Sequence, residues 1–190
     1  MRPVPPQCLL LDSAMAVLKG GDTTTAITLL EANVAAYPRT VAASAACLQL
    51  GRLYGAMGAT DSARGRLIHV LNNVIYEERP CKGDFGLLKT DGAVALSHLY
   101  DKEGNYEQGL YFLKLADTTF MPDYGDNEQA RVGYRTNLTE AFAAHYLKAG
   151  DTTAAIARMV HKFIISRAEN RVAGKAPEAC RIDNGLWMLD

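Results

Sequence analysis

The chain has 190 residues, 48% of them hydrophobic, enough to bury a sizeable core as one domain or a short array. Its 20 basic and 21 acidic residues leave a formal net charge of −1, which argues against the clustered basic footprint of a nucleic-acid partner. No apolar run approaches the ~20 residues of a membrane span. The start, Met1-Arg2-Pro3-Val4-Pro5-Pro6 followed by Cys8-Leu9-Leu10-Leu11, lacks the length and cleavage site of a secretory signal.

Taken in order, the pattern predicts eight helices. Residues 6–19 form the first, with Pro5-Pro6 at its start, and residues 23–37 the second, stopped by Pro38. Residues 40–57 and 61–78 give the third and fourth, the latter ended by Pro80. After a loop over residues 79–86, a fifth helix runs to Glu103 and a sixth spans residues 106–120 before Pro122. A loop over residues 121–126 leads to a seventh helix, capped by Asp126 and reaching Ala149. The eighth covers residues 152–172, and its basic residues from Arg158 through Lys162, Arg167 and Arg171 to Lys175 read as a solvated helix face. Residues 174–190 are expected to be irregular. No alternating strand pattern of any length competes, so the fold class is all-α.

The joints between these helices repeat. Gly20-Gly21-Asp22-Thr23, Gly58-Ala59-Thr60-Asp61, Gly104-Asn105-Tyr106-Glu107 and Gly150-Asp151-Thr152-Thr153 each end one helix and open another. Glycine adopts the left-handed stop without steric cost, and an aspartate near the next start can accept orphan N–H bonds. Beyond each joint stands a small residue (Ala26, Ala63, Gly109, Ala155) and, four further on, a bulky one (Leu30, Leu67, Leu113, Met159). That spacing puts the pair on one helical face, where the small member admits a crossing helix and the large one fills the space beside it. The intervals from Gly58 to Gly104 and from Gly104 to Gly150 are equal, and longer than a ~34-residue helix–turn–helix repeat.

With Leu50-Gly51-x-x-Tyr54, Gly58, Ala63 and Leu67, the second unit resembles the tetratricopeptide repeat (TPR) family. The third offers Leu96-Ser97-x-x-Tyr100, Gly104, Gly109, Leu113 and Ala116; the fourth offers Phe142-Ala143-x-x-Tyr146, Gly150, Ala155 and Met159. The first keeps Gly21, Ala26, Leu30 and Pro38. No tryptophan opens any unit, Gly109 replaces the expected alanine, and Lys162 occupies a normally small site. The resemblance implies a right-handed superhelical stack of antiparallel helix pairs over residues 1–173, in units of about 7–40, 44–77, 90–123 and 136–169, with first helices lining a concave groove.

On that resemblance the groove stripe is Leu11, Met15 and Leu18 in unit one and Leu48, Arg52 and Gly55 in unit two. Units three and four contribute Val94, His98 and Asp101, and then Glu140, Ala144 and Leu147, with Lys19, Lys102 and Lys148 at the adjoining position. The expected partner contacts are accordingly Leu11, Met15, Leu48, Arg52, Val94, His98, Asp101, Lys102, Glu140 and Lys148. This mixture does not match the Lys, Asn and Arg set with which one branch of the family clamps C-terminal carboxylates.

The chain carries no phosphate-binding glycine loop, nucleophile elbow, dinucleotide fingerprint or His-Glu-x-x-His motif. His69, His98, His145 and His161 stand singly on helices, as surface or half-buried polar residues do, and no metal or cofactor is expected. Cys47 lies on an apolar helical stretch and reads as a small buried hydrophobe. Cys81 and Cys180 fall in irregular segments and can pair in an oxidising compartment. Asn137-Leu138-Thr139 matches a glycosylation sequon, and Gly51-x-x-x-Gly55 reads as close packing within the stack.

The expected function is a non-enzymatic interaction module holding a peptide or helical segment of a protein partner. The alternatives are a sensory or regulatory segment of a larger signalling protein and, less favoured, an enzyme on a helical solenoid. The expected compartment is cytoplasmic, or periplasmic or extracellular if the sequence is a fragment. The apolar tail Gly185-Leu186-Trp187-Met188-Leu189-Asp190 is expected to dock as a cap, or else to mediate self-association.

Overall fold

A computed structural model of the chain describes residues 4–73, 81, 87–120, 128–172, 180–183 and 186–189. The eight predicted helices are present as α1 (Pro6–Lys19), α2 (Thr23–Ala36), α3 (Val41–Ala56), α4 (Thr60–Asn72), α5 (Leu88–Lys102), α6 (Tyr106–Thr118), α7 (Glu128–Lys148) and α8 (Thr152–Val172). Apart from Cys81, the predicted loops over residues 79–86 and 121–126 lie outside the described residues, as do the stops at Pro80 and Pro122 and the cap at Asp126. α4 ends at Asn72, with Asn73 already extended, rather than continuing toward Glu78.

The four joints share one hydrogen-bond solution. Gly21, Gly58, Gly104 and Gly150 all have positive φ, between 75° and 91°. In each case the amide one residue beyond the glycine reaches back five residues: Asp22 to the Val17 carbonyl, Ala59 to Tyr54, Asn105 to Tyr100 and Asp151 to Tyr146. This Schellman closure satisfies carbonyls that a helix end otherwise leaves open. Three of the following helices are then capped from the side chain, Asp22 accepting from the Thr25 amide, Asn105 from Gln108 and Asp151 from Ala154. α4 has Ala59 at this position and no such bond, its carboxylate, Asp61, standing instead in the first turn.

Chain contacts divide the molecule into two compact units, Met1–Pro122 with α1–α6 and Asp123–Asp190 with α7, α8 and the tail. Each helix pairs with its successor across a joint, and in the first unit α2 also packs on α3 and α4 on α5. The small-then-large device sits at these seams. Ala26, Ala63 and Ala155 are fully buried, as are Leu30 and Leu113, while Leu67 is 1% exposed. A β-carbon added at Gly51 would lie 2.5 Å from Leu67 Cγ, so the absent side chain is what lets α3 and α4 meet. Tail residues expected to be irregular instead form an antiparallel ribbon of β1 (Cys180–Asp183) and β2 (Leu186–Leu189), with Ile182 opposite Trp187. Two residues, Asn184 and Gly185, separate the strands in sequence, a dipeptide favoured in two-residue hairpins.

Cys8 is joined to Cys81 by a disulfide, with Cα atoms 5.5 Å apart. The sequence left open whether Cys81 pairs with Cys180; its partner is instead Cys8, which the first turn of α1 brings, buried, within bonding distance. Cys47 is free and buried, as its apolar surroundings predict.

Replacing Gly51 by alanine should force Leu67 out of its packed position and destabilise the first unit by ~1–3 kcal/mol. Chemical denaturation checks this, the expected result being a lower midpoint with native far-UV helicity retained.

Candidate functional site

Within the first unit the backbones of α1 and α3, and of α3 and α5, pack closely, whereas α2 and α4 meet only through side chains such as Glu31 and Arg66. The first helices therefore lie closer together than the second helices, and theirs is the inner side of this unit. Met15 on α1 is 37% exposed, the Arg52 side chain on α3 is 48% exposed, and His98 and Lys102 on α5 are exposed. Val94 is half-buried between them.

Three residues of the expected stripe are not on the accessible surface. Leu11, Leu48 and Asp101 are buried, at 6%, 3% and 5% exposure. Each marks an end of its i, i+4, i+7 series, and the flank it occupies is turned into a helix–helix seam. A helical face wide enough to span both seam and solvent reads as one stripe in sequence, but the crossing of α1, α3 and α5 covers one edge of it. Glu140 and Lys148 are exposed on α7, in the second unit. Glu140 accepts a hydrogen bond from Lys162 of α8, which accounts for a lysine at a repeat position filled elsewhere by buried Asn33, Val70 and Ala116.

Sequence reasoning missed Asp91. Its carboxylate lies 3.4 Å from Arg52 Nη2, linking the first turn of α5 to α3 across the inner face. Partial burial pushes the Asp91 carboxyl above its ordinary range, against the opposing pull of Arg52. Its signal was available, because Asp91 stands one turn before Val94 on the same helical face. The inner face thus carries Met15, Arg52, Asp91, Val94, His98 and Lys102, an apolar and mainly cationic set with one internal ion pair.

A second concavity opens on the side of the second helices. A cleft of about 360 Å³ is lined by Glu31 of α2, Tyr54 of α3, and Ser62, Gly65, Arg66 and His69 of α4. Tyr54 Oη donates to Glu31 Oε1 at 2.9 Å, and Arg66 donates to the other oxygen of the same carboxylate. Burial, reinforced by Glu31 holding its proton, pushes the Tyr54 phenol up. With both carboxylate oxygens engaged, Glu31 is poorly placed to act as a general base. Burial also pushes the Cys47 thiol up to about 11, against the pull of Arg66, which makes it a weak nucleophile. His145, expected at the surface or half-buried, is instead fully buried on α7. Among the described residues no group of His, Cys, Asp and Glu is arranged to hold a metal ion.

No family model and no curated protein matches the sequence. Solved structures do match the fold. A Podosopora anserina protein assigned as a kinesin light chain, built of nearly identical TPR-like repeats, aligns with a TM-score of 0.60 at 19% identity. The alignment covers 90% of this chain and 81% of that one. A variant of that protein with a single glutamine-to-methionine substitution aligns at 0.62, again at 19% identity, over 90% of this chain and 80% of that one. The chain has the TPR-like all-α helical repeat fold that its joints and seams predict.

Because burial raises the folded pKa of Asp91, its ionised form costs stability at neutral pH, and that cost fades as pH falls through the folded pKa toward the unfolded value. Asp91→Asn should therefore melt no lower than wild type at pH 7, any advantage vanishing below roughly pH 4. Arg52→Ala leaves the half-buried carboxylate alone and should lower stability at pH 7 by no more than ~1 kcal/mol. Thermal unfolding at the two pH values checks both signs.

Proposed function

We propose that this protein is an interaction module whose inner face, built by α1, α3 and α5, holds a peptide or helical segment of a protein partner. The observation that carries this reading is the exposure of Met15, Arg52, His98 and Lys102 on adjacent helices of one unit. Helices already fixed by their own packing lose little entropy on binding, so the cost of association falls mainly on the guest segment. Apolar Met15 and Val94 supply contact area, and the cations supply register and charge preference. Repeat folds carry many functions, so the proposal rests on this surface and not on the fold.

Selection of a displayed peptide library on the immobilised, oxidised protein tests it. Enriched peptides should lose affinity by about tenfold or more against Arg52→Gln combined with His98→Glu. They should keep it against Glu107→Arg on α6. Equal binding to all three proteins would remove the inner face from recognition.

The same proposal places the protein in an oxidising compartment, periplasmic or extracellular, rather than in the cytoplasm. The Cys8–Cys81 disulfide supports this, since reducing compartments keep such pairs as thiols. Native protein should show Cys8 and Cys81 protected from alkylation before reduction. Reduction should cost ~2–4 kcal/mol of stability by freeing a long loop in the unfolded chain. Two alkylated cysteines at these positions in unreduced native protein would contradict the assignment.

A further inference from the structure

The cleft on the side of the second helices has one wall that packing does not explain. Ser62, Gly65, Arg66 and His69 follow i, i+3, i+4, i+7 spacing, so one face of α4 forms that wall, alongside Glu31 of α2 and Tyr54 of α3. Gly65 is exposed in the interior of α4, where glycine costs stability relative to alanine. At Gly51 and Gly92 a tight seam offsets that cost, because added β-carbons would meet Leu67 Cγ at 2.5 Å and Val70 Cγ1 at 3.2 Å. At Gly65 an added β-carbon would meet no described atom within 4 Å. The missing side chain therefore serves no neighbouring helix. It leaves the cleft open and the α4 backbone approachable, a local departure from helix preference of the kind found at binding sites.

The polar groups of the cleft are unevenly engaged. Both Glu31 oxygens already accept, one from Tyr54 and one from Arg66. His69 Nε2, by contrast, is buried with no hydrogen-bond partner among the described residues, which leaves a desolvated polar atom uncompensated. The Arg66 side chain stays 33% exposed while bonded to Glu31, and a guanidinium carries five N–H donors. Exposed Ser62 adds a hydroxyl. Acceptors are thus taken and donors are in excess, which suits a guest group that only accepts. A carboxylate matches better than a phosphate dianion, because one guanidinium already facing Glu31 cannot neutralise two further charges. The same guanidinium repels a cation. At about 360 Å³ the cleft lies at the lower end of small-molecule sites.

We propose that this cleft binds a small organic acid, its carboxylate received by Arg66 and His69 Nε2 and its apolar body lying along Tyr54 and the bare backbone at Gly65. His69 is half-buried, so a turn of its ring about the side-chain torsion presents Nε2 to the guest. The cleft shares no residue with the inner face, and the assignment stands whether or not that face takes a peptide. An acidic side chain of a partner protein offers the same carboxylate, and the test separates the two sources.

Titration of the full-length oxidised protein with acetate and with benzoate, followed by NMR, reads the site residue by residue. Both acids should shift the Gly65 amide and the His69 imidazole signals saturably, benzoate in the millimolar range expected of so small a ligand. Neutral benzamide should bind at least about tenfold more weakly than benzoate. His69→Phe, which removes the donor, and Gly65→Leu, which fills the cleft, should each weaken benzoate by about tenfold or more with helical circular dichroism retained. Gly133→Leu, at an equally unobstructed glycine of α7, and Arg52→Gln on the inner face should leave benzoate binding as in wild type. No saturable shift with either acid overturns the proposal, as do equal affinities for benzoate and benzamide or indifference to both cleft substitutions. Tighter binding of an N-acetylated, C-amidated glutamate peptide than of benzoate would assign the cleft to an acidic side chain of a protein and overturn the small-acid assignment.

Discussion

The close crossing of paired helices is the constraint on which the described structure depends. At the α3–α4 seam, Leu67 occupies the space where a β-carbon on Gly51 would stand. A side chain there would push the helices apart and open a void around Leu67, which makes the seam's tightness and the core's completeness the same property. Alanine or glycine recurs at the partner position on the second helices, so the pairs are joined by a common device. Every joint is closed by a positive-φ glycine and a five-residue return bond, which fixes the direction in which the second helix leaves. The inner face of the first unit follows from this, since it is what the first helices have left after their seams are filled.

Charge refines that scaffold rather than holding it together. Arg64 bridges Glu103 at 2.6 Å and Asp61 at 2.9 Å, and lies over the Tyr100 ring, which ties α4 to α5 near the joint. Glu31, Tyr54 and Arg66 join α2, α3 and α4 in one network on the opposite side from the inner face. These groups are partly exposed, where single ion pairs contribute little, so their effect is mainly on register between neighbouring helices. Arg52 and Asp91 differ in position rather than in kind, because their pair lies on the surface proposed for recognition. On the proposed reading, a guest carboxylate meeting Arg52 would compete there with Asp91.

Features encoded over a few residues were legible in the sequence. The joint glycines, the caps at Asp22 and Asp151 and the Ala–Leu pairs each need only local geometry, and the helix starts follow them, although Asp61 makes no cap and α4 ends at Asn72, short of the expected Glu78. Features that depend on how helices cross were not. Leu11, Leu48 and Asp101 belong to the right helices and the right general face, yet a rotation of one flank buries them. Arg52 and Asp91 stand 39 residues apart, and Cys8 and Cys81 stand 73 apart, separations at which no periodic pattern specifies a partner. The ribbon lies between these cases: Asn184-Gly185 between short apolar runs is a hairpin signal, but four residues a side fall below the length at which alternation is distinctive.

The central claim is that the first helices of residues 1–122 present an open face while the seams behind it are sealed. Hydroxyl-radical footprinting of the full oxidised chain, read by mass spectrometry at single residues, measures this directly. Met15 and His98 should be modified readily, and Leu30, Leu67, Leu96 and Leu113 should be protected. Protection of Met15 and His98 to the level of those leucines would mean that the helices close into a bundle, and would contradict the account.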